Sequence, residues 1–576
     1  MAKIRRLPSE VIDRIAAGEV VERPASVVKE LIENALDAGA TRLDVEIERG
    51  GIQRILVRDD GMGMSAEDAR LALERHATSK ITSDADLAGV ASYGFRGEAL
   101  PSIASVSRLT LTTSDGSSPE AVRIRAGSGQ AAQSEAAARP RGTDVLVEDL
   151  FAKTPARHKF LASPEAEARA AAAAVTRAAL SNPSVAFLLR SGKRELLDAP
   201  SAVDRAARIL QVFGRETLGE LESFEARAGP LKATGFTTRG SVTFPSRRYQ
   251  YLFVNGRPVE DRALSRAILQ ASRDAIRTDR HPAVFLYLTA QPGAVDVNVS
   301  PAKTQVRFSD AGTAFRLVYH AVHSALLAGK EERRLKSVPT VTESRVGEPE
   351  EAYPGETPST VLPGAPVGVP SIPKPEPPPA PAEKKPPELV LIGQHRESFL
   401  VASGPEGLLL IDQHAAHERI LYERIRDRLA AGRILAQRLL LRALFEASPE
   451  EVEILAAHLG DLSAAGFEIE PMSGRSYAIA ALPAEATDRE PAETLHEVLA
   501  GLAGEGASDA DRRRDRLAAA LACRSAVTIR YHLAPEEIRR LLADWMKTAD
   551  RFTCPHGRPV VLLMTDEELE KYFKRR

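Results

Sequence analysis

The stretch VVKELIENALDAGA, residues 27–40, decides how the amino-terminal part of the chain folds. On a helix that turns about 100° per residue, its apolar side chains cover one half of the surface. Glu30, Asn34 and Asp37 fall together within roughly 60°, just beside that half. A carboxylate and a carboxamide one turn apart at a core edge can serve as a general base and as an oxygen ligand for a hard cation. A solvated polar edge shows the same pattern, so the helix alone leaves both interpretations open.

The flanking residues indicate where this helix stops and a sheet begins. Pro24 and Ser26 suit the helix start, and Gly39 suits its end. Residues 42–48 then alternate between apolar and polar, and so do residues 52–57 after a pair of glycines. This pattern predicts a β-hairpin directly after the helix.

Composition limits the class of protein. The chain has 576 residues, 43% of them hydrophobic and 27% charged, which is typical of a soluble protein of several domains. A formal net charge of −2 gives no overall attraction to nucleic acid or membrane, so any DNA contact needs a local basic patch. The start lacks the apolar core of a signal peptide, and no apolar run reaches about 18 residues. We therefore expect a cytoplasmic, nucleoid-associated protein that does not contact a membrane.

Two glycine-containing segments follow the hairpin. The sequence DDGMGM, residues 59–64, predicts a tight turn in which a carboxylate meets a ligand beside exposed backbone, although a plain hairpin turn uses the same residues. The sequence HATSK, residues 76–80, reads as a polar loop. In GFRGEAL, residues 94–100, glycines precede a helix start, where free backbone N–H groups can hold phosphate oxygens.

The pattern changes from about residue 210. Residues 249–254 are typical of a strand, and Asn255-Gly256 is a strong hairpin turn signal. A helix is predicted over 262–276, followed by strands over 283–289 and 294–299. This second unit also contains a candidate DNA-facing patch, although scattered arginines are commonly just solvated; its members are Arg262, Arg266, Arg273, Arg277 and Arg280.

Residues 336–388 form a predicted linker. They hold more than a third of the chain's 38 prolines and few aromatic residues, which favours extended, unpacked chain. About 50 such residues allow two folded parts to separate or to approach. The expected domains are therefore residues 1–210, 211–335 and 389–576, with the linker between the last two.

Both cysteines of the chain lie in candidate metal-ligand motifs of the last domain. In DQHAAHERILYE, residues 412–423, His414 and Glu418 are one helical turn apart where a strand turns into a helix. Cys554 and His556 stand at i and i+2 in CPHGRP, and Cys523 lies upstream. Thiolate, imidazole and carboxylate together are typical ligands of a divalent metal.

Together the amino-terminal motifs resemble the nucleotide-binding (GHKL) fold of gyrase, heat-shock chaperone ATPases, histidine kinases and MutL. Residues 18–31, 76–80 and 94–100 match the MutL family of mismatch-repair proteins most closely. The resemblance implies an ATPase in which Glu30 activates water and Asn34 binds the Mg²⁺ that accompanies ATP. It implies that Asp59 accepts a hydrogen bond from the adenine amino group, with Gly63 and Thr143 nearby.

The same resemblance assigns the phosphate contacts. A loop would cover the phosphates, formed by Gly94, Phe95, Arg96, Gly97, Glu98, Ala99 and Leu100. The residues Thr78, Ser79 and Lys80 would close over the nucleotide as part of a lid. Lys303, which follows a predicted strand, would reach from the second unit to the γ-phosphate, although a surface lysine fits that position equally well.

The carboxyl-terminal motifs resemble the endonuclease-containing subfamily of MutL. The resemblance implies one or two divalent metals, Zn²⁺ and/or Mn²⁺ or Mg²⁺, held among Asp412, His414, Glu418, Cys523, Cys554 and His556. Asp412 and Glu418 would take part in catalysis, and Glu423 belongs to the same motif. A purely structural zinc site remains the alternative.

The resemblance also implies partners: a second copy of the chain, DNA contacted by Arg262, and the mismatch sensor MutS. Nuclease-type relatives carry a Gln-initiated motif with a closing proline that docks on the sliding clamp. Here Gln437 begins the corresponding segment, but Arg442 stands where proline is expected. Clamp docking is therefore left open.

The overall prediction is an α/β (α+β) protein. It comprises a GHKL ATPase sandwich, a smaller α/β unit, a linker and an α/β dimerisation and endonuclease domain. Two other functions compete with it. One is a matchmaker of the same family that does not nick DNA, and the other is a chaperone- or topoisomerase-like ATPase. A topoisomerase needs a catalytic tyrosine domain, which is not evident, and a chaperone does not need the Cys/His motifs.

Overall fold

The structure of the protein is a computed structural model. It describes residues 21–80, 93–94, 97–127, 130–239, 242–244, 246–276, 280–296, 305–336, 389–432, 434–486, 490–503, 510–526 and 532–575. Several predicted features lie outside these residues, namely Phe95, Arg96, Arg277, Lys303 and the linker after residue 336.

The amino-terminal part is built on an eight-stranded sheet with the order β5-β4-β3-β6-β2-β1-β7-β8. Strands β1 and β7 are parallel, and the other neighbouring pairs are antiparallel. The strands are Arg42–Glu48 (β1), Arg54–Asp59 (β2), Arg108–Ser114 (β3), Ala121–Gly127 (β4), Gln130–Ala137 (β5), Gly142–Glu148 (β6), Ala186–Ser191 (β7) and Arg194–Ala199 (β8).

Helices cover one face of this sheet. Alternation along β1 buries Leu43, Val45 and Ile47 in the core, while Glu46 on the opposite face pairs with arginines of β2. The sheet therefore has one apolar and one charged face, as a two-layer sandwich requires. The helices are Pro24–Asp37 (α1), Ala66–Leu71 (α2), Ala99–Val106 (α3), Pro155–Lys159 (α4), Pro164–Ser181 (α5), Arg205–Phe213 (α6) and Arg215–Leu218 (α7).

Helix α1 follows the sequence prediction. Its apolar residues Val27, Val28, Leu31 and Ile32 are buried, and the helix packs against both β2 and α5. The helix begins at Pro24, and Ser26 lies in its first turn. The N-cap residue is Arg23, whose side chain makes no capping hydrogen bond.

The second unit is a five-stranded sheet with the order β12-β11-β13-β10-β9, and two helices pack against it. The predicted hairpin turn is present, since Asn255 and Gly256 have φ values of 47° and 79°. The predicted boundary at residue 210 falls inside α6, and the new sheet begins at β9. The elements are Leu221–Ala228 (β9), Leu231–Thr238 (β10), Gln250–Val254 (β11), Arg257–Pro258 (β12), Val284–Ala290 (β13), Val295–Asp296 (β14), Arg307–Phe308 (β15), Arg262–Ala275 (α8) and Ala311–Lys336 (α9).

The carboxyl-terminal part contains two sheets, with the orders β16-β17-β18-β22 and β19-β21-β20. Its elements are Val390–His395 (β16), Phe399–Gly404 (β17), Gly407–Asp412 (β18), Gln413–Ala430 (α10), Ala436–Glu446 (β19), Pro449–Ala464 (α11), Glu468–Pro471 (β20), Ser476–Pro483 (β21), Pro491–Leu502 (α12), Ala510–Ser525 (α13), Pro535–Trp545 (α14), Val561–Thr565 (β22) and Asp566–Tyr572 (α15). In the part of the chain that the structure describes, no helix combines the length and apolar character needed to cross a bilayer.

Candidate nucleotide site and metal centre

Asp59 is the last residue of β2 and lies opposite Thr143 of β6 in the strand register. Its Oδ1 accepts hydrogen bonds from the backbone N–H groups of Gly61 and Thr143, at 2.9 and 3.3 Å. Burial raises the pKa of Asp59, against the opposing effect of these bonds. The structure thus brings Asp59 and Thr143 together as the resemblance implied, and leaves a buried carboxylate that can accept from a purine amino group.

Asp60, the next residue, has a different role. Its carboxylate accepts hydrogen bonds from the backbone N–H groups of Thr41 and Arg42, at 2.7 and 2.8 Å, and from the Thr41 hydroxyl. It therefore ties the turn to the start of β1. Of the acidic pair, Asp59 is the buried member beside Thr143, whereas Asp60 is engaged with the start of β1.

The turn after Asp59 needs glycine at residue 63. Gly63 has a φ of +67°, and a Cβ atom there would lie 1.9 Å from the backbone oxygen of Ser114. Such a separation is far below van der Waals contact, so the turn can pass β3 this closely only without a side chain. A side chain at residue 63 would push this turn away from β3. Its absence and the hydrogen bonds to Asp59 together allow the backbone to stay near Asp59.

The polar edge of α1 is occupied by an ammonium group. Lys80 Nζ lies 3.0 Å from Asn34 Oδ1 and 2.6 Å from Asp37 Oδ2. The Asp37 carboxylate also accepts from the backbone N–H groups of Tyr93 and Gly94, at 2.9 and 3.1 Å. Because the side-chain oxygen of Asn34 already binds a cationic group, this edge has the donor chemistry that Mg²⁺ prefers.

Glu30 lies one turn before Asn34 on α1, and its side chain is 15% exposed. Lys29 Nζ lies 3.7 Å from its Oε1. The carboxylate is therefore partly shielded yet still reached by solvent, which suits a group that takes a proton from water. The structure places Glu30 and Asn34 on the same edge, as the helical spacing predicted.

The predicted phosphate loop and lid segment contact each other. Gly97 has a φ of +63°, and its carbonyl oxygen accepts from the backbone N–H of His76 at 3.2 Å. A Cβ atom on Gly97 would lie 2.4 Å from the Ala77 carbonyl oxygen. Ala99 and Leu100 open α3, with Glu98 at the N-cap position, so backbone N–H groups at that end have no helical partners. Thr78 accepts from the Lys80 N–H at 3.2 Å, and Ser79 is exposed.

In the carboxyl-terminal part, Glu418, Cys523 and His556 form a cluster with ligand atoms within 4.8 Å of one another. Glu418 lies on α10, Cys523 lies on α13, and these two helices pack together. His556 Nδ1 lies 2.8 Å from Glu418 Oε1, and the buried Cys554 is hydrogen-bonded to both side chains. This sulfur, nitrogen and oxygen set fits a zinc-type divalent metal.

A tight turn presents the Cys554 and His556 pair. The Gly557 N–H donates to the Cys554 carbonyl, and the Cys554 N–H donates to the Arg558 carbonyl, both at 2.9 Å. Gly557 has a φ of +77°, which favours glycine there. This local turn holds Cys554 near His556, whose Nδ1 contacts Glu418.

The electrostatics of the cluster favour a charged pair. Hydrogen bonds to Cys554 and Glu418 raise the pKa of His556 to about 9. Burial opposes ionisation of Glu418, but the hydrogen bond from His556 and the positive charges of His556 and His414 outweigh it and lower the pKa of this carboxyl. His414 is thus close enough to act on Glu418 through its charge.

Asp412 and Glu423, from the same motif, both bind backbone N–H groups. Asp412 caps α10, since its Oδ1 accepts from His414 and Ala415 at 2.9 and 3.1 Å. Glu423 accepts from the backbone N–H of Ala549 at 2.8 Å and from Arg419 at 2.9 Å. Glu423 therefore holds the segment that leads to Cys554, a role that the sequence did not reveal.

The predicted DNA-facing arginines separate into two groups. Arg262, Arg266 and Arg273 are exposed along α8. Arg280 instead forms an ion pair with Glu497 and donates to Thr243, so it does not belong to this surface. Only the exposed arginines of α8 are therefore accessible to DNA phosphates.

The predicted clamp motif forms a bulge. Strand β19 pairs Arg438 with Ala481 and Ala443 with Ile479, so residues 439–442 lie outside the ladder. Leu440 and Leu441 in this bulge are 101% and 82% exposed. Arg442, where proline was expected, forms an ion pair with Glu470 at 2.5 Å. The bulge presents two leucines to solvent despite the missing proline.

Comparison with known protein families agrees with this layout. Residues 22–141 match the family described as "Histidine kinase-, DNA gyrase B-, and HSP90-like ATPase". Residues 209–327 match "DNA mismatch repair protein, C-terminal domain", and residues 392–533 match "MutL C terminal dimerisation domain". The amino-terminal part is therefore an ATPase domain of the gyrase, histidine kinase and HSP90 class, which implies ATP as its nucleotide.

Relatives that match over the whole length of the chain identify its protein family. The chain is 40% identical over 609 residues to the DNA mismatch repair protein MutL of Anaeromyxobacter dehalogenans strain 2CP-C, covering 100% of both chains. It is 39% identical over 607 residues to that of Geobacter sulfurreducens, covering 100% of this chain and 99% of the relative. The solved Aquifex aeolicus MutL ATPase domain complexed with ADP is 27% identical with a TM-score of 0.39, covering 52% of this chain and 98% of that one. The chain belongs to the MutL family of DNA mismatch repair proteins.

Replacing Gly63 by alanine tests the turn beside Asp59. We expect the Gly63→Ala variant to bind ATP at least about tenfold more weakly, because the added Cβ meets the Ser114 carbonyl and moves the backbone. Binding is measured with a fluorescent ATP analogue. Gly116→Ala is the matched control, since Gly116 also has a positive φ but its Cβ would meet nothing closer than 3.8 Å. Equal losses in both variants would contradict the steric account.

Proposed function

We propose that this protein is an ATP-driven dimeric clamp that couples mismatch recognition by MutS to strand removal, and that its carboxyl-terminal domain nicks DNA with a divalent metal. The observation that carries the nuclease proposal is the convergence of Glu418, Cys523 and His556, whose ligand atoms lie within 4.8 Å of one another, with Cys554 in the same turn as His556. These residues come from two helices and a separate turn.

In the amino-terminal site each residue has a separate task. Asp59 accepts from the adenine amino group, Glu30 takes a proton from the attacking water, and Asn34 holds Mg²⁺ through its side-chain oxygen. Magnesium supplies charge neutralisation of the phosphates when it is bound with ATP. The N–H groups at the start of α3 bind phosphate oxygens. The family resemblance assigns the γ-phosphate contact to Lys303, which lies outside the described residues.

Lys80 fits the role of a lid residue that moves. Its ammonium lies between Asn34 and Asp37, the edge at which Mg²⁺ would bind. Two cations repel each other at such short range, so Lys80 must leave this edge when Mg²⁺ binds. Its displacement would carry the segment with Thr78 and Ser79 toward the nucleotide.

In the carboxyl-terminal centre the Cys, His and Glu set fits Zn²⁺. The family resemblance assigns Mn²⁺ to the carboxylates of Asp412 and Glu418, which are ligands that this ion favours. Such metals supply Lewis acidity and a nucleophilic water when bound. Glu418 also accepts from His556 at 2.8 Å and so holds this side chain in position. The competing assignment is a matchmaker in which the same residues hold only a structural zinc.

The open face of the carboxyl-terminal sheet supports a homodimer. Leu400 and Ile411 point to the face covered by helices and are fully buried. The strand pairing places an apolar set on the opposite face, of which Val390 and Leu562 are 64% and 58% exposed. This set comprises Val390, Val401, Leu408, Leu410, Leu562 and Met564. A contiguous apolar face of this kind is typical of a protein interface.

Two further contacts complete the proposal. The exposed leucines of the bulge at 439–442 provide apolar side chains that contact the sliding clamp, and Gln437 precedes them in the same strand. The arginines of α8 bind DNA phosphates without sequence preference. Both contacts are consistent with a protein that loads on DNA and acts near a clamp.

Glu30→Gln tests the general base. We expect nucleotide affinity to stay within about twofold while the hydrolysis rate falls by about 100-fold or more, because the amide cannot take a proton. Single-turnover hydrolysis and nucleotide binding are measured on the same protein. Glu67→Gln, on the exposed side of α2, is the control. Normal turnover in Glu30→Gln would remove this residue from catalysis.

Asp412→Asn tests the nuclease. Asparagine still caps a helix, so we expect the fold and the ATPase activity to persist while manganese-dependent nicking of supercoiled plasmid falls by about 100-fold. Asp427→Asn, an exposed position on the same helix, is the control. Nicking that persists in the Asp412 variant would favour the structural-zinc alternative.

Arg262→Glu tests the DNA face. We expect weaker binding to duplex DNA at low salt and a shallower salt dependence, because a phosphate contact is replaced by a like charge. Fluorescence anisotropy over a salt titration measures both. Arg215→Glu, exposed outside α8, serves as the charge-matched control. Identical titrations for Arg262→Glu and the unchanged protein would exclude Arg262 from the interface.

A further inference from the structure

A lobe of the carboxyl-terminal part lies against the back of the ATPase domain. We call residues 434–503 the lobe; it contains β19, β20, β21, α11 and α12. Helix α11 packs on α5 and on the edge strand β8. Buried residues on the two sides, such as Phe445 and Phe213, belong to one continuous hydrophobic core.

The two surfaces are complementary in charge. The first turn of α11 carries Glu450 and Glu451, followed by Glu453. Glu453 pairs with Arg194 of β8 at 3.2 Å, and Glu451 pairs with Arg248 at 2.6 Å. Acidic residues on the lobe therefore meet arginines of the ATPase domain and the second unit one by one.

Glu450, the third acidic residue of α11, also faces arginines. Burial raises the pKa of Glu450, and the positive charges of Arg177, Arg248 and Arg169 oppose that rise. Arg169 and Arg177 both lie on α5. A row of arginines on α5, β8 and the second unit thus faces the acidic start of α11, and we call these residues the arginine face: Arg169, Arg177, Arg194 and Arg248.

These contacts are shielded from water. The side chains of Glu451 and Glu453 are 0% and 2% exposed. His496 of the lobe donates from Nδ1 to the Glu451 carboxylate at 2.8 Å, and its Nε2 lies 3.2 Å from the Thr217 hydroxyl. A buried charge is tolerated only when it is paired, so separation of the surfaces must expose these carboxylates to water.

Backbone contacts add shape-specific recognition. The Arg475 guanidinium of the lobe donates to the carbonyl oxygens of Gln211 and Val212, at 2.7 and 2.5 Å. Arg280 pairs with Glu497 across the same boundary. Ion pairs, contacts to backbone carbonyls and a shared apolar core thus coincide at one boundary, which is typical of a specific interface.

We propose that the arginine face is an intramolecular docking surface, and that its occupant is the lobe of the same chain, held by the acidic start of α11. The linker makes this encounter intramolecular, so modest contacts suffice to hold it. Because α5 also packs against α1, which carries Glu30 and Asn34, the docked lobe contacts a direct neighbour of the ATP-site helix.

A charge exchange in the full-length protein tests the docking. Arg194→Glu is suitable because Arg194 is 44% exposed, so the change is compatible with folding. We expect Arg194→Glu and Glu453→Arg each to raise the undocked fraction by about tenfold, and the double variant to restore docking. Small-angle scattering measures the radius of gyration, and hydrogen exchange follows residues 194–199 and 449–464.

Lys193→Glu is the matched control, an exposed charge reversal one residue away in the turn before β8. It should leave both measurements unchanged. A mixture of the two single variants distinguishes docking within a chain from docking between copies. Restored compaction in the mixture, or a double variant as expanded as the single ones, would overturn the proposal.

Discussion

The structure depends on how helix α1 is buried. Its apolar side packs on the sheet and its flank packs on α5. This packing fixes the rotation of the helix about its axis and therefore the direction in which its polar edge faces. That setting points Asn34 and Asp37 toward Lys80 and the loop at Gly94. The hydrolytic site is thus positioned by packing of leucines and valines that never touch a nucleotide.

The carboxyl-terminal centre is positioned differently. Glu418 and Cys523 are fixed by two packed helices, whereas Cys554 and His556 are fixed by one tight turn held in place by Glu423. A metal bound there would connect three separate chain segments and so stabilise the domain as well as serve chemistry. The two centres share no residue, and the packing of α11 on α5 connects the two parts of the chain physically.

Local features were predictable from sequence because they depend on neighbouring residues. Helix α1, strand β1, the turn at Asn255 and helix α8 all follow from spacing and turn chemistry. The pairing of Asp59 with Thr143 was expected from family resemblance alone, because the local pattern of residues does not determine which strands become neighbours in a sheet. The contact of Lys80 with Asp37, the structural role of Glu423 and the diversion of Arg280 to Glu497 depend on distant segments, and sequence gave no signal for them.

Nicking of supercoiled plasmid by the unaltered protein tests the central claim most directly. The two-centre account predicts relaxed, nicked circles in the presence of Mn²⁺, loss of nicking after chelation, and a change in rate when ATP is added. A highly purified preparation that binds and hydrolyses ATP yet leaves the plasmid supercoiled at every Mn²⁺ concentration would contradict it. That result would leave a mismatch repair ATPase whose carboxyl-terminal metal site is only structural.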